Sequence, residues 1–354
     1  MRKVQVDKAQ PGSILAKSIF TADGRELLSA GIEVRPAFFK KLKEHGINEI
    51  YIEDDISNNI QISDVVKDQT RQEAKELVKN IMNNYTLASS FNSERVKGII
   101  DNILKELLES DEIIINLSDI KSVDDYTFEH SVNVCMLSLI TGIGLGFDLP
   151  KLKDLGVGAI LHDIGKLRIP EEILKKPSQL TVDEFEEIKK HTVYGYEILK
   201  NNHKVSMMSA FIAFGHHERY DGSGYPLQIK GDSIHQCARI VAIADVYDAL
   251  TSDRVYRKKL RPHEVVEYIT SLGSNHFDQK IVESFIKYIA IYPKGTGVLL
   301  NTKEKALVVK NNKKIPTRPV VRVVYTPTGE KISEPYDVDL ASQNSIYILD
   351  ACEL

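Results

Sequence analysis

The apolar positions divide the chain into three textures. Over residues 1–60, short apolar runs alternate with turn residues. Ile14-Leu15-Ala16 and Glu26-Leu27-Leu28 flank Asp23-Gly24, a pair that tolerates the positive φ of a tight turn, so a hairpin is predicted there. Residues 36–44 predict a short helix that opens on Pro36 and stops at Gly46, and Ile50-Tyr51-Ile52 predicts a strand. From Ser63 to about Ser110 the apolar residues recur at spacings of three and four. They are Val65, Val66, Leu77, Val78 and Ile81, then Val96, Ile99, Ile100, Ile103, Leu104 and Leu107. That is a helical pattern, with breaks at Asn83-Asn84 and Ser89-Ser90.

The helical period continues over 112–291. It is interrupted at 142–146, at Pro170 and Pro177, and at Gly222-Ser223-Gly224, and residues 279–291 predict the helix that closes this region. The end of the chain reads differently. Leu307-Val308-Val309, Val320-Val321-Arg322-Val323-Val324 and Ile346-Tyr347-Ile348 are β-branched apolar runs, separated by turn-rich stretches such as Thr326-Pro327-Thr328-Gly329. The predicted fold is mainly α. It comprises a small mixed α/β domain (1–60), a helical connector (61–110), an all-α central domain (111–292) and a short β-rich appendage (293–354). The connector has apolar positions that one small domain would leave uncovered, so a paired helix from a second chain, and hence a homodimer, is expected.

Composition narrows the partners. At 354 residues and 42% hydrophobic, the chain can bury two or three real cores. Its net charge of −4 gives no bulk attraction to DNA or to anionic lipid, so an anionic ligand must be held by a local cluster of metal, Lys and Arg. Cys135, Cys237 and Cys352 are far apart and odd in number, which offers no disulfide framework and fits a reducing cytoplasm. No run of about 18 apolar residues is present, and the N-terminus lacks the apolar stretch of a signal peptide, so no membrane segment is expected.

The candidate chemistry lies in seven side chains: His130, His162, Asp163, His191, His216, His217 and Asp245. Imidazoles and carboxylates cost free energy to bury unless they are paired or metal-bound. Each alone has an ordinary explanation: a surface helical histidine, a helix cap, a chance His-Asp pair. Together they are a ligand set. An Asp carboxylate has two oxygens and can bridge two cations, so Asp163 can join one metal served by His130, His162 and Asp245 to another served by His191, His216 and His217. Imidazole with carboxylate suits Fe, Mn, Zn, Ni or Co better than Ca. Two such ions about 3.5–4 Å apart can clamp a phosphodiester and activate water for in-line attack. Lys166, three positions after Asp163, would lie near the same face and could stabilise charge on phosphoryl oxygens. Arg254 and Arg257, three apart in a basic stretch, would share a helix face and suit bidentate phosphate binding.

His162-Asp163 with His130 upstream and Asp245 downstream resembles the HD superfamily of metal-dependent phosphohydrolases. The stretch His216-His217-Glu218-Arg219-Tyr220-Asp221-Gly222-Ser223-Gly224-Tyr225-Pro226 matches the signature of its HD-GYP branch, and the segment 238–251 is similar to the same branch. The resemblance covers about 115–291. It implies hydrolysis of cyclic di-GMP to pGpG and on to GMP, or of the hybrid cyclic GMP-AMP. It also implies iron or manganese as the metal, the ligand allocation just given, phosphate contacts near Arg254 and Arg257, and a loop of Asp221, Gly222, Gly224, Tyr225 and Pro226 that shapes the pocket and contacts partner proteins. Three-metal members carry a carboxylate four positions before the residue matching His130. Here that position is Tyr126, with Asp124 and Asp125 preceding it, so two metals are expected rather than three. A phosphohydrolase of another nucleotide and a non-catalytic, cyclic-dinucleotide-responsive scaffold are the alternatives. The loop argues against the first, and the retention of all seven side chains argues against the second.

Overall fold

The computed structural model describes residues 1–21, 26–62, 64–85, 91–110, 126–252 and 259–354. In the N-terminal unit β1 (Arg2–Gln5), β2 (Ile14–Leu15), β3 (Ile19–Phe20), β4 (Glu26–Leu28), α1 (Pro36–Glu44) and β5 (Glu49–Glu53) follow in order. β5 is the centre of a three-stranded antiparallel sheet, β1-β5-β2. The expected helix forms from Pro36, and its Leu42 is buried with Val6, Leu15, Ile19, Val34, Ile47, Ile50 and Ile52. The expected hairpin changes partner: β4 pairs with β3, not with Ile14–Leu15, which adds to β5 instead. The turn at Asp23-Gly24 lies outside the described residues.

The described segments 64–85 and 91–110 contribute to the helical core. They fold as two helices, α2 (Asp68–Asn84) and α3 (Ser93–Glu109), and α3 opens on Asn92, whose side chain accepts from the Arg95 N–H. Both pack on the next two helices, α4 (Tyr126–Gly144) and α5 (Leu149–Ile160). Val96, Ile100, Ile103, Leu104 and Leu107 are buried in the same core as Val134, Leu139, Leu155 and Ile160. The apolar stripe that suggested a second chain is therefore satisfied within this one, because an amphipathic helix takes the nearest apolar face available.

After α5 the chain makes a short 3₁₀ turn (Ile164–Arg168). Then come α6 (Glu171–Leu174), α7 (Val182–Lys189), α8 (His191–Lys200), α9 (Met207–Gly215), α10 (Gln236–Thr251), α11 (Pro262–His276) and α12 (Gln279–Ile286). The closing helix stops at Ile286, short of the expected 291. No helix among the described residues is long and apolar enough to cross a membrane.

The C-terminal strands β6 (Gly297–Leu300), β7 (Lys305–Lys310), β8 (Val320–Tyr325), β9 (Lys331–Asp339) and β10 (Ile348–Ala351) form an antiparallel sheet in the order β10-β6-β7-β8-β9. β9 contains Pro335 and lies at an edge, where a missing ladder donor is tolerated. The last strand begins at Ile348 rather than 346. This sheet is less an appendage than a wedge. Val298, Leu300, Ala306, Val308, Val321 and Val323 join the helical core, while Leu307 and Val324 pack with Tyr51, Ile56, Ile60 and Ile62 of the N-terminal side.

Candidate metal centre

The seven candidate side chains converge from five places in the fold. α5 ends at Ile160, so His162 and Asp163 sit on the turn that follows it, both buried. That turn lies directly on α8, which begins at His191. A Cβ on Gly165 would stand 1.8 Å from the carbonyl oxygen of His191, so only glycine permits this approach. α9 ends into His216 and His217, α4 supplies His130, and α10 supplies Asp245.

The atoms form two groups. Asp163, His191, His216 and His217 present ligand atoms within 4.8 Å of one another, as do His130, His162 and Asp245. Asp163 stands between them: its Oδ1 lies 3.5 Å from His191 Nε2 and 3.9 Å from His216 Nε2, and its Oδ2 lies 3.4 Å from His162 Nε2. Asp245 likewise faces both sides, with Oδ1 3.1 Å from His130 Nε2 and Oδ2 3.8 Å from His217 Nδ1.

The hydrogen bonds aim the rings. Nδ1–H of His162 donates to the Ala159 carbonyl (2.8 Å), that of His191 to Ile188 (2.7 Å) and that of His216 to Ala213 (2.9 Å). Each ring is thereby held as the tautomer whose Nε2 carries a lone pair. The Nε2 atoms of His191 and His216 then face each other at 3.4 Å with a carboxylate oxygen beside them. His162 Nε2 and Asp163 Oδ1 are buried with no hydrogen-bond partner. A concentration of inward-facing acceptors without donors is unfavourable unless a cation occupies the centre. The donor set fits a divalent ion of the Fe, Mn or Zn kind in each group.

The electrostatics agree for three of the histidines. Burial pushes His216 well below the ordinary imidazole range and lowers His191, while His217 falls to about 3 despite the opposing charge of Asp245. Neutral imidazoles are the metal-binding form. Burial would raise the Asp163 carboxyl, but Lys166 and the imidazole of His162 outweigh it and hold it well below the carboxylate range. Asp245 is likewise depressed: the hydrogen bond and charge of His130 outweigh burial. His130 goes the other way. Burial would lower it, but its hydrogen bonds to Asp245 and Asp248 raise it to about 9.

Lys166, on the 3₁₀ turn, places Nζ 2.5 Å from Asp163 Oδ2 and keeps its side chain about a quarter exposed. In the Gly-Tyr-Pro loop the Tyr225 ring lies over His217 with centroids 4.8 Å apart and within 6.5 Å of His191. Tyr225-Pro226 is a cis peptide. A Cβ on Gly224 would meet the Arg219 nitrogen at 2.3 Å and the His217 oxygen at 2.5 Å. Gly222 has φ of +85°. Asp221 faces its own turn, accepting from the Ser223 N–H at 2.8 Å, and does not join the metal groups. Arg254, Arg257, Asp124 and Asp125 lie outside the described residues.

Three further side chains support the centre and were not singled out above. Asp248 is fully buried and accepts from His130 Nδ1 and Asn133 Nδ2, each at 2.8 Å. Its spacing from Asp245, and that of Asn133 from His130, is three positions, so each pair shares a helix face, and that spacing was the available signal. Glu218 is buried and accepts from the N–H groups of Leu227 (2.6 Å) and Gln228 (3.1 Å), tying the Gly-Tyr-Pro loop back to the histidine pair.

Residues 115–281 match the HD domain family, and residues 297–354 match the KOW domain associated with HD domains. The chain is thus a member of the HD superfamily of metal-dependent phosphohydrolases. It belongs to the HD-GYP branch, by the loop that closes over His217 and by its relatives. The cyclic di-GMP phosphodiesterase PA4108 of Pseudomonas aeruginosa is 32% identical over 265 residues, 75% of this chain and 64% of that protein. A cyclic di-GMP phosphodiesterase of Thermotoga maritima is 38% identical over 182 residues, 51% of this chain and 49% of the relative. The 3'3'-cGAMP-specific phosphodiesterase 2 of Vibrio cholerae is 32% identical over 219 residues, 61% of this chain and 41% of the relative. The chain therefore spans less than two thirds of the length of each of these three relatives.

Proposed function

We propose that this protein is a two-metal phosphodiesterase that hydrolyses a cyclic dinucleotide, cyclic di-GMP first, to the linear pGpG and on to GMP. The observation that carries the reading is the pair of inward-facing ligand groups joined across Asp163. His130, His162 and Asp245 would hold one divalent ion, His191, His216 and His217 the other, and Asp163 both. Such ions supply Lewis acidity and lower the pKa of bound water. The chain's own residues do the rest. The backbone carbonyls at 159, 188 and 213 fix the ring orientations, and Lys166 neutralises the outer oxygen of Asp163 while remaining exposed enough to meet a phosphoryl group. The Tyr225 ring lies against His217 and shields one face of it. Arg254 and Arg257 are proposed to bind phosphate, and the outer face of the Gly-Tyr-Pro loop, where Leu227 is exposed, to meet a partner protein.

Iron or manganese is the proposed occupant, given five imidazoles, two carboxylates and no thiolate. A second reading, cyclic GMP-AMP as the preferred substrate, is favoured by the Vibrio cholerae relative. The test is elemental analysis of anaerobically purified protein coupled to turnover of both dinucleotides. About two metal equivalents are expected, with activity lost on chelation and restored by Fe(II) or Mn(II) more than by Zn(II). Turnover that survives full metal removal would sink the proposal, and the ratio of the two rates decides between substrates.

A further inference from the structure

The network behind His130 extends beyond the matched HD domain. Asp248 Oδ2 takes the His130 Nδ1–H, and Asp248 Oδ1 takes the Asn133 side-chain N–H. Asn133 is itself fully buried, and its Oδ1 accepts from Arg71 Nη2 at 3.3 Å. Arg71 is on α2, before residue 115, where the HD match begins. Its guanidinium also faces Glu129 at 4.0 Å and lines a cleft with Lys17, Ser18, Phe20, Thr21 and Tyr51 of the N-terminal unit.

An amide between a cation and an anion has one good orientation. Its NH₂ must point to the carboxylate and its oxygen to the guanidinium; the flipped amide would set oxygen against Asp248 and NH₂ against Arg71. Arg71 therefore fixes Asn133, Asn133 fixes Asp248, and Asp248 fixes which nitrogen of His130 faces Asp245. We propose that Arg71 is a positioning residue for the half-site of His130, His162 and Asp245, acting through Asn133 and Asp248. The face of α2 that lines this cleft is thus linked through Asn133 and Asp248 to His130. The proposal rests on the two-metal reading above.

The test is metal titration of the apo protein with Co(II), reading both the binding isotherm and the visible absorption of each bound equivalent. In Arg71→Met, one of the two equivalents should bind severalfold to about tenfold more weakly, with an altered spectrum, at or below the low end of what loss of a ligand's direct partner costs because Arg71 acts through two side chains. The other equivalent should be unchanged. Arg71→Lys, which keeps the charge, should recover part of the loss. In a His130→Ala background, Arg71→Met should have no further effect on the remaining equivalent. Two unaltered equivalents in Arg71→Met would overturn the proposal, as would equal weakening of both. Should Arg71→Met not fold, Arg71→Gln, which removes the charge and keeps a polar side chain, would overturn it by showing the wild-type isotherm and spectrum. If the wild type itself binds no Co(II), the two-metal reading fails, which is a different result from a silent variant.

Discussion

At the residue scale, the centre depends on a few atoms that no neighbour can replace. Asp163 faces both ligand groups at close range, with one oxygen 3.4 Å from His162 Nε2 and the other 3.5 Å from His191 Nε2. Asp163→Ala is expected to lose both metals together and to abolish turnover, measured by elemental analysis and product formation; two retained metals with near-normal rates would exclude a bridging role. Gly224 is a second such point. In Gly224→Ala the new methyl would meet backbone at 217–219, which cannot step aside as a side chain could. A stability loss of about 1–3 kcal/mol in denaturant unfolding is expected, with a drop in activity as Tyr225 moves off His217. For phosphate binding, the double variant Arg254→Ala, Arg257→Ala should raise KM by roughly tenfold or more at unchanged metal content; unaltered kinetics would place both on the solvated surface.

At the element scale, α2 and α3 are part of the catalytic fold. Ile103 is fully buried among residues of α3, α4 and α5. Ile103→Ala should cost about 2–5 kcal/mol of stability, read by chemical denaturation. A fragment beginning at residue 111 would expose the faces of α4 and α5 that α2 and α3 cover, and it is expected to be insoluble or molten. A folded, active fragment of that length would show that the two helices are dispensable. Periodicity at three and four was enough to read these segments as helical, since Val96, Ile100, Ile103 and Leu107 mark one stripe. It could not say which surface the stripe meets, because helix–helix contact and chain–chain contact require the same residues.

At the scale of the whole molecule, the chain ends are tied together. Arg2 Nη1 donates to the Leu354 carbonyl, the Lys3 N–H to Gly295, and Arg322 Nη1 to Asn58. On the N-terminal sheet, Glu49 pairs with Lys3 and with Lys259 from the segment after α10. Burial would raise the Glu49 carboxyl, but the two lysines prevail and draw it from 4.5 to about 2. A depressed folded pKa contributes stability that is present above the unfolded value and is lost as pH falls toward 2. The contribution should be on the order of 2 kcal/mol at neutral pH, reduced by solvent screening at Lys259. Glu49→Gln should lower stability at pH 7 and converge with the wild type near pH 2, read as unfolding midpoints across pH; parallel curves at all pH values would exclude the pair as a source of acid sensitivity.

What the sequence determined by itself was local period and ligand chemistry. The mainly α core, the helix from Pro36 and the β-branched C-terminal strands were legible because side-chain periodicity is imposed by backbone geometry within a few residues. The seven candidate ligands stood out because their types are costly to bury, and the resemblance supplied their grouping. Tertiary structure alone decided the rest. It placed Ile14–Leu15 on β5 instead of in a hairpin, turned Asp221 toward its own loop, folded α2 and α3 onto the core and wedged the C-terminal sheet between two units. It also brought Arg71, Asn133 and Asp248 into line behind His130, across 177 positions of chain from 71 to 248. Such contacts depend on which surfaces meet after the helices form, and no pattern confined to one helix encodes its partner.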